Sequence, residues 1–322
     1  MKRMIRLLMS ILILSTLFAC TKNSEAISGE STENETDVNS VQTEFLDIAY
    51  GSISSAQTLN IYLPNEGEGP FPVIVAIHGG AFKMGSATGG DVASMLEGVN
   101  RGYVVVSINY RLSGEAIFPA AVNDCKAAIR FIKANAQQYN INPDKIAVWG
   151  DSAGGNLASM VGTTGNIDTL NGANQENLSF DSKVQAVVDW FGPLDFLKMD
   201  EQFAASGITP VFGKTSSETS PESSYIGELI TNNPKLTQSA NPASYISTMN
   251  LESAPSFLIQ HGTSDANVPV QQSIDFADQL KAYVGESKVK LVLLEGAGHG
   301  TDEFNTTENL DIVFEFLDSV LK

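Results

Sequence analysis

The stretch Lys145-Ile146-Ala147-Val148-Trp149 is an apolar, β-forming segment that runs straight into Gly150-Asp151-Ser152-Ala153-Gly154-Gly155, and then into helix-forming Asn156-Leu157-Ala158-Ser159-Met160. A G-x-S-x-G placed between a strand and a helix imposes a very tight turn. The serine is forced into a strained backbone and its hydroxyl stands clear above the sheet. The flanking positions must be small, because a Cβ there would collide with facing backbone; Gly150 and Gly154 meet that need. The motif makes Ser152 a candidate nucleophile and demands a strand-turn-helix unit in the fold.

The rest of the chain supplies partners for that strand. Short apolar runs at Val73–Ile77, Tyr103–Ile108, Val184–Trp190, Ser256–Gln260 and Val289–Leu294 are continuously Val/Ile/Leu-rich. That is the mark of strands buried on both faces. Helical patterns lie between or after them at Ala120–Ala136, Ala153–Val161, Val270–Tyr283 and Glu308–Leu321. The alternation predicts an α/β fold with a mostly parallel central sheet flanked by helices. Phe45–Tyr50 and Leu59–Leu63 read as an antiparallel hairpin at the sheet edge. Residues 193–250 break the rhythm: they are Ser/Thr/Pro-rich, and a structureless loop of that length is rare in a compact fold. They read as a cap insertion over the site, with short helices near Asp200–Ala205 and Ser223–Ile230.

Where a serine sits on such an elbow, the triad follows in the order nucleophile, acid, base. The chain has three histidines. His78 precedes Ser152, and His261 ends a strand ahead of any acid loop, which makes it a structural histidine. His299, in Gly296-Ala297-Gly298-His299-Gly300 after the last strand, is the candidate base. Asp265 is the only carboxylate in the preceding loop, His261 to Pro269, and is the candidate acid that fixes the imidazole tautomer. Donors for an oxyanion are expected from the amides of Gly80 and Ala81, in the loop after Val73–Ile77, and of Ala153 at the head of the helix.

His78-Gly79-Gly80-Ala81-Phe82, Asn109-Tyr110-Arg111-Leu112, Gly150 to Gly155, Asp265 and Gly298-His299-Gly300 together resemble the hormone-sensitive-lipase-like branch of the α/β-hydrolases. The runs Val187 to Phe196 and Asn241-Pro242-Ala243-Ser244-Tyr245-Ile246 are closer still to bacterial feruloyl/acetyl-xylan esterases. The likeness spans residues 45–322. It implies a serine carboxylic-ester hydrolase with no metal and no organic cofactor, acting on short-chain or aryl acyl esters, with acylated carbohydrate among its substrates. Ala81 stands where many lipase-like relatives have a third glycine, but it keeps an amide. Phe82 stands where formamidase-like relatives have Trp; with Trp190, Phe191 and Tyr245 it reads either as a wall of the pocket or as core. The alternatives are an arylformamidase-like amide hydrolase and a non-catalytic surface-binding protein on the same scaffold. A serine peptidase with this triad would ordinarily carry a large extra domain.

With 17% charged residues and 43% hydrophobic, the chain can bury a sizeable core. Its formal net charge of −18 argues against nucleic acid as a partner, since phosphate binding needs clustered Lys and Arg. Lys2, Arg3 and Arg6 followed by apolar Leu7–Phe18 read as a secretory leader over residues 1–19. Leu17-Phe18-Ala19-Cys20 resembles a bacterial lipobox, which implies lipid attachment at Cys20 and a membrane-anchored lipoprotein outside the cytoplasm. Residues 20–44 carry six acidic side chains and almost nothing large and apolar. They cannot offset their ordering entropy and read as a flexible tether ahead of a hydrolase domain over 45–322. Cys125, alone in a helical pattern, reads as core filler.

Overall fold

A computed structural model of the chain describes residues 43–173 and 176–322. Residues 1–42, which include the expected leader, Cys20 and all but the end of the expected tether, lie outside the described residues. The described chain opens with β1 (Thr43–Ala49), β2 (Thr58–Leu63), β3 (Phe71–Ile77), α1 (Ala93–Leu96), β4 (Val104–Ile108) and α2 (Ala120–Ala134). It continues through β5 (Ile141–Asp151), α3 (Ala153–Thr163), β6 (Ala186–Trp190), α4 (Met199–Ser206), α5 (Pro221–Ile226) and α6 (Pro234–Ser239). It closes with β7 (Ser256–Gly262), α7 (Gln271–Val284), β8 (Val289–Leu294) and α8 (Thr307–Leu321).

The strands form one eight-stranded sheet in the order β1-β2-β4-β3-β5-β6-β7-β8. β1 and β2 pair antiparallel, as do β2 and β4; every other neighbour is parallel. Alternate residues serve opposite faces. Val73, Val75 and Ile77 of β3 pack with α2, α3 and α7 residues such as Ile129, Leu157 and Phe276. Ile74 and Ala76 pack on the other face with Met95 of α1 and Val313, Phe314 and Leu317 of α8. Cys125 is buried and free on the first of these faces.

Two local readings differ from expectation. Tyr139-Asn140-Ile141-Asn142-Pro143-Asp144 reads as a turn in the sequence, yet β5 begins at Ile141. Phe71 pairs with Ile141 and Val73 with Ile146, so the polar residues bulge out of a strand that continues past them. The hairpin likewise starts at Thr43, where the tether was expected to continue.

Segment 193–250 contributes α4, α5, α6 and a 3-10 turn over Pro242–Thr248. The last two have no apolar period to announce them; they begin instead with Asn233-Pro234 and Asn241-Pro242, where each Asn side chain accepts an amide hydrogen bond ahead of a proline in the first turn.

Candidate active site

β5 runs into α3 through Ser152, whose φ of 51° and ψ of −119° lie where non-glycine residues are rarely found. The turn survives because its neighbours hold it. The Ser152 amide donates to the Trp190 carbonyl at 2.8 Å, and its own carbonyl accepts from the Asn156 amide at 3.2 Å. A Cβ on Gly154 would lie 2.0 Å from the Ile77 carbonyl oxygen, and one on Gly150 would lie 2.1 Å from the Gly154 carbonyl oxygen. Neither position admits a side chain.

Three side chains distant in sequence meet above this elbow. His299 Nε2 is 2.8 Å from Ser152 Oγ, and His299 Nδ1 is 2.7 Å from Asp265 Oδ2. Asp265 is fully buried, and its Oδ1 accepts the amides of Asn267 and Val268 at 2.7 and 2.9 Å. Burial alone would raise its titration, but hydrogen bonds from His261 and His299 outweigh that and hold the carboxyl well below the usual carboxylate range. Phe191, itself at a φ of 43°, packs its ring 4.6 Å from that of His299 and backs the imidazole.

The loop after β3 is held in an unusual shape. Gly80, Ala81 and Phe82 have φ of 99°, 56° and 58°, and the amides of Lys83 and Met84 both donate to the Gly80 carbonyl. Behind it, Tyr110 donates its hydroxyl to the His78 carbonyl at 2.9 Å and stacks on the His78 ring at 4.3 Å. Among the described residues, the N–H groups of Gly80, Ala81 and Ala153 donate to no protein acceptor. Asp151, beside Ser152, has an Oδ1 without a partner. Burial, reinforced by the Asp91 carboxylate, pushes its carboxyl up to about 8, so it is protonated at neutral pH.

A pocket of about 750 Å³ opens over Ser152 and His299, and Gly80, Ala81 and Asp151 contribute to its lining. Trp190 and Phe191 line it, whereas Phe82 and Tyr245 do not. Phe82 is 1% exposed and stacks on Tyr225 of α5 at 3.9 Å, while Tyr245 turns away to donate to the Ser239 carbonyl. Sequence reasoning passed over Asp151 as a lining residue although it lies inside the motif. It also missed Met84, Phe212 and Phe304, which line the pocket from three separate segments and share no local signal. Among the described residues no group of three or more His, Cys, Asp or Glu side chains is arranged to hold a metal ion. Chemically, the arrangement offers a hydroxyl hydrogen-bonded to an imidazole, a buried carboxylate hydrogen-bonded to the far side of that imidazole, and amides without protein acceptors.

The chain is similar to known ester hydrolases. The chain is 32% identical over 237 residues to a probable carboxylic ester hydrolase, LipM, of Mycobacterium tuberculosis, covering 73% of this chain and 51% of the relative. It is 30% identical over 259 residues to esterase LipC of the same organism, covering 79% and 59%. The chain thus spans about half the length of the curated relatives it matches. Among solved structures, a truncated carbohydrate esterase from gut microbiota superposes with a TM-score of 0.76 at 30% identity, over 87% of this chain and 96% of that one. A bifunctional GH43-CE protein of Bacteroides eggerthii gives the same TM-score, 0.76, at 32% identity, over 87% of this chain and 35% of that one. Esterase 2 of Thermogutta terrifontis, 23% identical with a TM-score of 0.66 over 87% of this chain and 95% of that one, shares the fold. The BD-FAE family profile matches residues 59–280, and the chain, with its α/β-hydrolase fold, belongs to the BD-FAE family.

Proposed function

We propose that this protein is a serine carboxylic-ester hydrolase in which Ser152 is the nucleophile, His299 the general base and acid, and Asp265 the orienting carboxylate. The observation that carries the reading is the unbroken hydrogen-bond line from Ser152 Oγ to His299 to Asp265, at 2.8 and 2.7 Å. His299 takes the Ser152 proton as Oγ attacks the ester carbonyl carbon. The carbonyl oxygen becomes an anion received by the Gly80, Ala81 and Ala153 amides, the last at the head of α3 where the helix dipole adds to the attraction. Protonated His299 passes its proton to the departing alcohol, leaving an acyl group on Ser152. Water, deprotonated by the same imidazole, then attacks that ester and frees the acid and the serine.

The substrates we assign are short-chain or aryl acyl esters, with acetyl or feruloyl groups on plant polysaccharide as the natural class. Support comes from the two carbohydrate-esterase neighbours and from a pocket whose walls include Trp190 and Phe191. A lipid-anchored position on a membrane outside the cytoplasm is part of the same proposal, supported by the leader-like start and Cys20. A fluorophosphonate probe tests the chemistry: it labels wild type and leaves Ser152→Ala unlabelled. Failure of wild type to label would return the scaffold to a binding role. Rates on p-nitrophenyl acetate, butyrate and octanoate, methyl ferulate, acetylated xylan and an N-formyl aryl amide then rank the substrate classes. Preference for the formyl amide would favour the amidase alternative.

A further inference from the structure

Asp265 has a second imidazole beside it that the cycle above leaves idle. His261, near the end of β7, is fully buried; its Nε2 lies 3.0 Å from the Val268 carbonyl oxygen and 3.3 Å from Asp265 Oδ2. A carbonyl oxygen only accepts, so Nε2 must carry the ring proton. Nδ1 is then the acceptor of a neutral ring, and the Ser273 hydroxyl of α7, 2.7 Å away, donates to it. That N–H is hydrogen-bonded to the Val268 carbonyl, and the same nitrogen lies 3.3 Å from the carboxylate that orients His299 on the proposed reading.

We propose that Ser273 and His261 form a positioning pair behind Asp265, holding its carboxylate in one rotamer and drawing part of the Oδ2 charge away from His299. The proposal rests on the catalytic reading of Asp265. Oδ1 is already occupied by two backbone amides, so Oδ2 is the only oxygen whose electron density can be shared between imidazoles. The titratable groups acting on Asp265 are His261 on β7 and His299 after β8, and Asp189 on β6 faces His261 from the far side. With His261 in place, Asp265 steers His299 without over-stabilising the imidazolium. Without it, Oδ2 is the more basic partner, protonated His299 persists to higher pH, and the carboxylate is freer to rotate.

The pair is tested with the full-length protein on p-nitrophenyl acetate, reading kcat/KM against pH, after fluorophosphonate labelling of wild type has established Ser152. His261→Leu, close in volume, is expected to lower kcat about tenfold with KM little changed. It is also expected to move the acid limb of the profile upward by about half a pH unit, close to threefold in proton concentration. His261→Gln keeps an N–H donor and is expected to return the limb toward wild type. Should His261→Leu fail to fold, Ser273→Ala takes its place, with a limb shift of the same sign expected. A limb that stays in place or moves down in the folded variant overturns the proposal, even if the plateau rate falls, because a purely packing role lowers the plateau alone. A wild type that does not label removes the catalytic reading and this proposal together, whereas labelling with an unmoved limb removes only the proposal.

Discussion

Behind His299, in the buried floor of the site, Asp265 is 0% exposed, with two amides on Oδ1 and two imidazoles within 3.3 Å of Oδ2, while in the pocket lining Met84 is 64% exposed and Phe212 is 61% exposed. The floor is polar, buried and saturated with hydrogen bonds. The rim is apolar and wet, and it rests on loops: Phe212 follows Val211, whose amide is tied to the Ala266 carbonyl at 2.8 Å, and Met84 ends the strained turn after Gly80. A buried polar group without partners is costly, so Asp265 is fixed by several neighbours at once. An exposed side chain carries no such obligation. On the proposed function, the difference teaches that chemistry and selectivity are separable: the floor would set what reaction occurs, and the rim which esters reach it.

The contrast can be broken most readily at Asp265. Asp265→Asn presents an amide to the imidazole and disturbs its tautomer, so kcat on p-nitrophenyl acetate is expected to fall about 10⁴-fold. A variant retaining a tenth of wild-type activity would show that the floor is not over-determined. Gly154→Ala puts a methyl group where the Ile77 carbonyl stands, and is expected to cost about 3 kcal/mol in urea denaturation. An unchanged midpoint would mean the elbow can yield.

Asp151 sharpens the comparison, since it lies at the floor yet has an unpartnered oxygen. Unfolded, it titrates near 4, the ordinary value for the side chain; folded, burial and Asp91 push it up to about 8. Between those values the native protein holds a proton that the unfolded chain has released, so this residue's contribution makes stability fall as pH rises through the window. Asp151→Asn has nothing to titrate, and its Tm is expected to decline less than that of wild type from about pH 5 to 8. Parallel Tm curves would deny the effect.

The smallest change is expected at the rim. Phe212→Ala removes a ring that the fold does not need, so KM for methyl ferulate or acetylated xylan is expected to rise roughly two- to tenfold. Its kcat on p-nitrophenyl acetate and its Tm should stay near wild type. A hundredfold loss of kcat would make the rim part of the chemistry.

Much of this site was legible in the sequence because the strongest constraints are local. Gly150 and Gly154 around Ser152 announce the elbow, and the position of each later loop after its strand singles out Asp265 and His299. What escaped depends on tertiary contact. Phe82 reads equally as pocket wall or core, and only the tertiary contact decides for core: with a positive φ, its ring stacks on Tyr225. His261 reads as structural because nothing in its neighbours' spacing brings it back to Asp265, four residues on; the turn of that loop does so. Asn142-Pro143-Asp144 carries every mark of a turn and is nonetheless a bulge, since the pairing of Phe71 with Ile141 restarts the strand ahead of it.

The Phe82–Tyr225 stack has a mechanical consequence. Phe82 belongs to the turn that carries the Gly80 and Ala81 amides, and Tyr225 to α5 in the segment over the pocket. Lys83 adds a second rivet by donating to Ser224, while the Phe118 amide, from the loop before α2, holds Tyr225 through its carbonyl at 2.8 Å. Roof and anion cradle are thus one piece, and lifting the roof would dismantle the cradle. The enzyme would work as an open cleft with no gate to wait for, and thickening the solvent with sucrose would leave its turnover number largely untouched.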